Sequence, residues 1–324
     1  MPIVPPIKSQ GIKTKLVDWI GASIEETKYK RWVEPFMGTG VVGFNIRPKV
    51  ALMCDSNPHI INFYNEVKRK KITSSKVKAH LTKEGVKLLA SNGDYYYDVR
   101  TRFNADGNPL DFLFLSRSCF NGMMRFNKKG GYNVPFCKKP NRFAQALVTK
   151  ISNQVKNVSQ IIELGDFTFK HQDFTETLKE VKKTDLVYAD PPYIGRNVDY
   201  FDSWSEEEEE AMNKSLLTSK ANYVLSTWLS NKYRTNEHIF SIWKDSFITT
   251  KKHFYHVGGK EKNRNSVKEA LISNLRLKNS ISVESMKTKI ENGENQLTGI
   301  ENEYKKSEQL TLKLKEEKPT ILPK

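Results

Sequence analysis

The sequence has few cysteines and no long apolar run. Its three cysteines, Cys54, Cys119 and Cys137, are an odd number, and their spacing matches no zinc-binding pattern. We interpret them as reduced thiols, which argues against a disulfide-stabilised secreted domain, and we expect no bound metal. No stretch approaches the roughly 20 apolar residues of a membrane-spanning helix, and the opening MPIVPPIKSQ lacks the apolar core of a signal peptide. These absences predict a globular cytoplasmic protein that does not enter a membrane.

Acidic residues are also fewer than basic ones. The chain carries 53 Lys and Arg against 37 Asp and Glu, which gives a net charge of +16. Such an excess attracts polyanions and makes their binding depend on salt. Nucleic acid is therefore the first partner to consider, and the alternative is a solvated, lysine-rich surface without a ligand.

Short apolar runs alternate with stretches that are compatible with helices. Six runs are typical of buried strands, and they are RWVEPF, KVALMCD, FTFKHQD, DLVYAD, NYVLST and EALISN. The strands in the first four runs are predicted to end at Pro35, Asp55, Asp173 and Asp190. Several runs are followed by a helical stretch that begins with a cap residue, such as Ser205. This alternation predicts an α/β fold with a doubly wound, mostly parallel sheet.

The chain between Asp55 and Asp173 is far longer than one crossover connection requires. It is rich in Lys, Arg, Asn and aromatic residues, which indicates an inserted lobe. We predict that this lobe is largely helical and spans residues 70–162. The main domain would then be formed by residues 1–69 and 163–275.

Residues 276–324 form a charged tail in which apolar residues recur at heptad spacing, with Gly293 and Ser307 interrupting the pattern. So short a pattern fits a weak coiled coil, a helix packed on the main domain, or a frayed, disordered tail. We favour a monomer and leave the oligomeric state open. The heptad positions are Val283, Met286, Ile290, Leu297, Ile300 and Tyr304.

The predicted strand ends carry residues that a nucleoside ligand needs. Gly38 and Gly40, in EPFMGTG, form a turn that lets the backbone approach a ligand, and Asp55 follows Gly38 by 17 residues. Asp173 ends a third strand. Taken singly, these residues are more often an ordinary turn and helix caps. The loop lacks the third glycine and the Gly-Lys-Ser/Thr of phosphate-binding loops, so a nucleoside without phosphate, such as S-adenosylmethionine, fits better.

The segment DPPY, from Asp190 to Tyr193, ends the fourth strand. Methyl transfer to an exocyclic amine requires that the amine be held in line with the sulfonium, and acceptors for both amino hydrogens stabilise the pyramidal nitrogen of the transition state. The Asp190 carboxylate and the Pro191 carbonyl can serve as these acceptors. Proline fixes φ and has no competing N–H, and Tyr193 offers a ring on which a base can stack. The alternative is a tight turn with no chemical role.

A base within a duplex cannot reach such a corner, so the target nucleotide would have to be flipped out of the helix. The enzyme then needs a second surface that holds DNA, and residues 116–136 of the predicted lobe can supply it because cations alternate there with aromatic rings. The alternative is a basic surface loop around an aromatic cluster. The alternating residues are Arg117, Phe120, Arg125, Phe126, Lys128, Lys129 and Tyr132.

These motifs, in this order, resemble the Dam-like, α-group (D12 class) N6-adenine DNA methyltransferases. The resemblance covers most of residues 6–275 and lies in GIKTKL, VEPFMGTG, DSNPHIINFYN, HQDF, FNGMMRFNKKGGYNVPF and DPPY. Two departures stand out. Ile12 replaces a second glycine in GIKTKL, and CKKPNRF after Phe136 differs from the pattern of enzymes specific for GATC, which leaves the recognition sequence open.

The resemblance implies a Rossmann-like methyltransferase domain with an inserted DNA-recognition domain, S-adenosylmethionine as cofactor and double-stranded DNA as substrate. It further implies a housekeeping or restriction-modification role, with or without a cognate restriction endonuclease, near the bacterial or phage nucleoid. The implied catalytic residues are Asp190, Pro191, Pro192 and Tyr193. The implied cofactor-binding residues are Gly11, Lys13, Pro35, Phe36, Gly38, Gly40, Asp55 and Asp173. The implied DNA-binding residues are Arg117, Phe120, Asn121, Arg125, Asn127, Lys128 and Lys129.

Three alternatives to this activity stay open from the sequence. Methylation of cytosine N4 or of adenine in RNA uses related corners in which Asp, Ser or Asn precedes Pro-Pro and an aromatic residue. The third alternative is a nucleic acid-binding relative that has lost activity. Intact DPPY and glycine-turn segments argue against that loss.

Overall fold

A computed structural model describes residues 2–194, 204–254 and 266–292. These residues form an α/β domain in which one mixed sheet separates two helical layers. The strands are β1 (Arg31–Glu34), β2 (Val50–Asp55), β3 (Asp166–His171), β4 (Asp185–Ala189), β5 (Asn222–Asn231), β6 (Phe247–Phe254), β7 (Ser266–Ser273) and β8 (Ile281–Ser282). The helices are α1 (Val17–Ile24), α2 (Val41–Ile46), α3 (Pro58–Lys68), α4 (Ser74–Ala90), α5 (Tyr95–Asp106), α6 (Pro109–Ser118), α7 (Gln145–Leu164), α8 (Phe174–Lys179), α9 (Glu206–Ser219), α10 (His238–Ile242) and α11 (Val283–Glu291).

The strand order is β3-β2-β1-β4-β5-β7-β6-β8. The first five strands in this order are parallel to their neighbours, whereas β7, β6 and β8 pair antiparallel. The chain passes from β1 to β2 on one side and later returns to β4 on the other. A crevice opens at such a reversal, outside the carboxyl ends of the strands, and it is where ligands bind in folds of this class.

The prediction of a doubly wound, mostly parallel sheet is confirmed, and each of the six predicted runs overlaps a strand. The prediction missed β6 and β8. In β6 the sequence FITTKKHF carries polar residues toward its end, so its apolar pattern is weak, and the strand is held mainly by its pairing with β7. Pairing of this kind is a tertiary contact that periodicity does not encode.

Side chains of the strands alternate between two cores, one on each face of the sheet. In β4, Leu186 and Tyr188 belong to the core under α1, α2 and α3, whereas Val187 and Ala189 belong to the core under α8, α9 and α10. All four side chains are buried because strands covered on both faces have no solvent side. This double cover fixes the level at which β4 ends and therefore where residue 190 emerges.

Helix caps explain where several of these helices begin. Ser205 and Glu208 form a reciprocal capping box at the start of α9, as expected for the predicted cap Ser205. Asn57 caps α3 in the same position, because its side chain accepts the N–H groups of His59 and Ile60. Both caps follow strands whose carboxyl ends face the crevice, so they help to fix the edges of the site.

The segment between β2 and β3 is helical, and its helices α4 to α6 and most of α7 lie within the predicted lobe 70–162. An ion network between the exposed Arg102 and two buried acids joins three of these helices. The Arg102 guanidinium donates to both oxygens of Asp111, at 2.6 Å each, and to Glu84 at 3.0 Å. Burial alone would raise the pKa of both acids, but the hydrogen bonds outweigh it and leave both pKa values lowered. The apolar core of the lobe is continuous with the core on that face of the sheet.

The beginning of the tail packs on the main domain. Val283 is buried, and Met286 and Ile290 of α11 contact the same core as α10. The remaining heptad positions, Leu297, Ile300 and Tyr304, lie outside the described residues. Within the described ranges, no helix has both the length and the apolar character to cross a membrane.

Candidate active site

The glycine turn between β1 and α2 leaves its backbone accessible. Gly38 has a φ of 50°, and a Cβ added there would meet nothing within 4 Å, so a ligand can approach this backbone. Gly40 has a φ of 74°, and an added Cβ would lie 2.5 Å from a ring carbon of Phe44. Any side chain at Gly40 would therefore push the turn away from α2. Pro35 is buried and Phe36 is half-buried at the start of this turn.

Asp55, at the end of β2, holds the glycine turn in place. One carboxylate oxygen accepts the Gly38 N–H at 2.8 Å, and the other accepts the Asn57 N–H at 2.9 Å. Burial raises the pKa of Asp55, and these two N–H groups partly offset that rise. Because each carboxylate oxygen has a further lone pair, Asp55 can still accept hydrogen bonds from ribose hydroxyls.

Asp173 is an exposed helix cap at the end of β3. Its Oδ1 accepts the Thr175 N–H at 2.8 Å and the Thr175 hydroxyl at 2.7 Å. Asp173 is therefore the N-cap of α8, which is the structural role that the sequence left open for this residue. A contact between Asp173 and a cofactor remains a prediction.

Three aromatic rings meet beside the glycine turn. The Phe36 ring stacks on Phe174 with centroids 5.4 Å apart, and Trp204 contacts both rings edge-on at 5.4 and 5.1 Å. The Trp204 indole N–H donates to the buried Glu209 at 2.5 Å. Sequence reasoning missed Trp204. The signal that could have indicated Trp204 is its position directly before Ser205, the cap of the helix that follows the DPPY segment.

The DPPY segment lies where β4 ends, and Lys13 contacts two of its residues. The Lys13 ammonium is 2.9 Å from Asp190 Oδ1 and 4.8 Å from the centroid of the Tyr193 ring. Lys13 is buried, and its Nζ also lies 3.5 Å from the carbonyl oxygen of the exposed Gly11. Burial raises the pKa of Asp190, and the positive charge of Lys13 opposes that rise. Lys13 thus favours the ionised form of Asp190.

Residues from β5 and β7 hold the other end of the corner. The Tyr193 hydroxyl donates to Glu269 Oε2 at 2.8 Å and lies 3.4 Å from the Ser226 hydroxyl. The Trp228 indole donates to the carbonyl of Ile194 at 3.2 Å. Glu269 and Ser226 are both buried and were not predicted from the sequence. An acid inside an apolar strand, as in KEALIS, is a signal that could have indicated Glu269.

Glu34, the last residue of β1, is a buried acid that the sequence analysis missed. The Trp32 indole donates to its Oε1 at 2.8 Å, and an added Cβ at Gly43 would lie 2.8 Å from the same oxygen. Burial raises the pKa of Glu34 to about 8, although the Trp32 and Gly43 N–H groups oppose the rise. The negative charges of Asp190 and Asp55 raise it further. At neutral pH Glu34 is therefore mostly protonated, which limits the negative charge between the two strand ends.

We expect Glu34→Gln to change how stability depends on pH. Because the folded-state pKa is raised from 4.5 to about 8, the folded protein binds this proton more tightly, and stability falls as pH rises through that window. Glutamine cannot ionise, so the thermal midpoint of the variant relative to wild type should rise by on the order of 5 °C between pH 5 and pH 8. Thermal unfolding across that range measures this difference. The exposed Glu26→Gln is the control, and a difference that did not change with pH would contradict the assignment.

The predicted DNA-binding stretch forms a hairpin on the helical lobe. Phe126 pairs with Tyr132, and Cys119 pairs with Phe136, while the Tyr132 hydroxyl donates to the carbonyl of Met123. Phe120 is 47% exposed. The next residue, Asn121, is exposed with a φ of 52°. The chain thus turns sharply where the aromatic ring faces solvent.

The remaining residues of this stretch differ in exposure. Lys128 and Lys129 are exposed at the hairpin tip, and the Arg125 Nε donates to the Asn133 side chain at 2.9 Å. The Asn127 side chain accepts the N–H groups of Lys129 and Gly131, so it shapes the turn. Arg117 is buried, and its guanidinium donates to the carbonyl of Pro6 at 3.3 Å. Burial lowers the pKa of Arg117 to about 10, and this side chain has little surface to offer DNA.

Among the described residues, no group of three or more His, Cys, Asp or Glu side chains is arranged to hold a metal ion.

Comparison with known proteins places this site in a family context. A DNA adenine methylase of Vibrio cholerae is 33% identical over 193 residues, which are 58% of this chain and 64% of the relative. A type II methyltransferase of Methanocaldococcus jannaschii, M.MjaIII, is 32% identical over 212 residues, 60% of this chain and 70% of the relative. The chain therefore covers less than two thirds of the length of the Vibrio protein.

Among solved structures, an S-adenosylmethionine-dependent methyltransferase from Agrobacterium tumefaciens is 11% identical, with a TM-score of 0.34 over 81% of this chain and 60% of that one. A family profile described as D12 class N6 adenine-specific DNA methyltransferase matches residues 9–257. That match spans the glycine turn, the lobe and the DPPY segment. The chain belongs to the D12 class of N6 adenine-specific DNA methyltransferases.

Proposed function

We propose that this protein transfers a methyl group from S-adenosylmethionine to N6 of an adenine flipped out of duplex DNA. The observation that carries the proposal is the corner at the end of β4, where Lys13 contacts both Asp190 and the ring of Tyr193. This corner follows the strand next to β1, so it adjoins the glycine turn at the point where the strand order reverses. Family membership supports the proposal.

The residues at the strand ends fit the proposed cofactor. The open side of Gly38 accommodates a close backbone contact, and Asp55 retains acceptor capacity for ribose hydroxyls. Asp173 and the rings of Phe36 and Phe174 offer a polar and an apolar contact for a purine. When bound, S-adenosylmethionine supplies an activated methyl group, so the protein itself needs no metal and little acid or base chemistry.

The role of the corner is to hold the amine and to stabilise it as the reaction proceeds. Asp190 and the Pro191 carbonyl would accept the two amino hydrogens, and this favours the pyramidal nitrogen over the planar, conjugated one. Lys13 favours the ionised form of Asp190, which accepts a stronger hydrogen bond than the protonated form does. Pro192 stiffens the turn, and Tyr193, fixed through Glu269, would stack on the base.

The lobe would hold the duplex. We propose that Phe120 enters the gap left by the flipped base and that Asn121 and Arg125 contact base edges. Lys128 and Lys129 at the hairpin tip suit phosphate contacts. Arg117 would act indirectly, by supporting the loop from inside, and Asn127 by shaping its turn.

We propose that the protein has a Dam-like or restriction-modification role. It would act in the cytoplasm of a bacterial or phage-infected cell, at the nucleoid. The similarity to the type II methyltransferase M.MjaIII is compatible with the second role. A monomer accounts for all of the contacts proposed above.

Sequencing of genomic DNA from a methylation-deficient host that expresses the chain tests this function directly. We expect N6-methyladenine in one sequence context, and it should vanish in a strain that expresses Asp190→Ala. N4-methylcytosine, or methyl groups found in RNA alone, would contradict the proposal in favour of those activities. A purified protein that binds DNA but never labels it would identify an inactive relative.

A further inference from the structure

A turn that follows β5 presents two cations and an aromatic ring to solvent. Lys232, Tyr233 and Arg234 form the tip of this turn, named here the 232–234 turn, and Tyr233 is 74% exposed. The acidic residue nearest to this turn along the chain is the exposed Glu237, three residues after Arg234. The Lys232 ammonium lies 5.8 Å from the centroid of the Tyr233 ring. A cation beside an exposed ring, without acids in the same segment, is typical of surfaces that bind nucleic acid.

Hydrogen bonds hold the 232–234 turn in one shape. The Asn231 side chain accepts the N–H groups of Tyr233 at 2.8 Å and Arg234 at 3.1 Å, and the Asn231 N–H donates to the carbonyl of Arg234 at 3.0 Å. The buried Asn236 donates from its side chain to the carbonyl of Trp228 at 3.1 Å. A turn that is ordered before binding loses little conformational entropy when a ligand arrives.

One indole ring separates this turn from the catalytic corner. The Trp228 side chain is buried, and the Arg234 guanidinium lies 5.0 Å from the centroid of its ring. The indole N–H of Trp228 donates to the carbonyl of Ile194. Ile194 directly follows Tyr193. Trp228 also pairs across strands with Glu269, which binds the Tyr193 hydroxyl. The turn and the corner are thus parts of one packed unit.

The turn and the lobe lie on opposite sides of the corner. β4 stands between β1 and β5 in the sheet, the lobe connects β2 to β3 on the β1 side, and the 232–234 turn follows β5.

We propose that the 232–234 turn is a second DNA-binding surface, which contacts backbone phosphates of the strand from which the target base is flipped. The proposal rests on the proposed function. Lys232 and Arg234 would bind the phosphates, and Tyr233 would pack against the neighbouring sugar. Phosphate contacts position a duplex without reading its sequence, so the turn would add affinity and leave sequence preference to the lobe.

The salt dependence of DNA binding tests this surface. A fluorescein-labelled duplex of random sequence is titrated with wild type and with Lys232→Gln/Arg234→Gln at several salt concentrations. The slope of log K against log salt is negative, and each lost phosphate contact reduces its magnitude by about 0.9, so the slope of the double variant should be less steep by roughly 2. We also expect about tenfold or more weaker binding at low salt, with unchanged affinity for S-adenosylmethionine.

Lys182→Gln/Lys183→Gln is the matched control. It removes the same charge from exposed positions just before β4, at the end of the sheet opposite the crevice, and should leave the slope unchanged. Equal slopes for the two double variants would overturn the proposal. If loss of Arg234 unfolds the protein, Lys232→Gln alone must make the slope less steep by about 1. Wild-type protein that bound no duplex would instead contradict the proposed function.

Discussion

Asp190→Ala should reduce the rate of methyl transfer by at least about 100-fold, because it removes an acceptor that stabilises the developing charge at the amine. Affinity for S-adenosylmethionine should stay within a few-fold, since the proposed cofactor contacts lie at β1, β2 and β3. Single-turnover transfer of labelled methyl to DNA measures the rate, and calorimetry measures cofactor binding. These two readouts separate a loss of catalysis from a loss of the site.

Two controls sharpen this result. Asp166→Ala changes an exposed acid at the beginning of β3, on the far edge of the sheet, and should turn over normally. Asp190→Asn keeps an acceptor oxygen and should retain more activity than the alanine variant. Normal turnover by Asp190→Ala would remove the catalytic assignment altogether.

Lys13→Met should lower activity at neutral pH by about tenfold or more and change its pH dependence. Burial raises the pKa of Asp190 and the Lys13 ammonium, 2.9 Å away, opposes the rise. Without that ammonium the pKa rises further, so a larger fraction of Asp190 is protonated as pH falls. The acid limb of kcat should move to higher pH by on the order of one unit. Measuring kcat from pH 5.5 to 9 with saturating cofactor and DNA gives this shift.

The exposed Lys15→Met removes the same charge two residues away and should leave the profile unchanged. Lys13→Arg keeps a cation near the carboxylate, so the acid limb of its kcat profile should lie close to that of wild type, even if the longer head group slows the reaction. A Lys13→Met enzyme that lost activity equally at every pH would indicate that Lys13 acts by packing alone. That outcome would remove its proposed electrostatic role.

Much of the fold could be predicted because the parallel strands are buried on both faces. Runs such as DLVYA are apolar at every position for that reason, and they stand out from amphipathic helices. β6 has no such run, and it was missed because its stability comes from pairing with β7. The tail shows the same limit, since its heptad pattern did not reveal that Val283 and Met286 pack on the main domain.

Sequence reasoning identified candidate site residues at strand ends and missed those inside strands. Asp55 and Asp190 follow apolar runs, and a change from apolar to acidic is visible in one dimension. Glu34 and Glu269 lie inside strands, where nothing in the sequence distinguishes them from surface acids. Each accepts a hydrogen bond from a neighbouring side chain, and the sequence does not reveal which strand residues have such a neighbour. Arg117 presents the reverse case, since a cation in a basic stretch proved to be buried.

The sequence by itself determined the order of the elements, the glycine turn, the DPPY corner and the resemblance to its family, because each depends on residues that are close along the chain. Only the tertiary structure decided that Lys13 pairs with Asp190, that Glu269 holds Tyr193, and that the 232–234 turn lies one indole ring from the corner. These contacts join residues far apart in the sequence. They depend on the strand order, and local hydrophobic periodicity carries no information about which strands become neighbours.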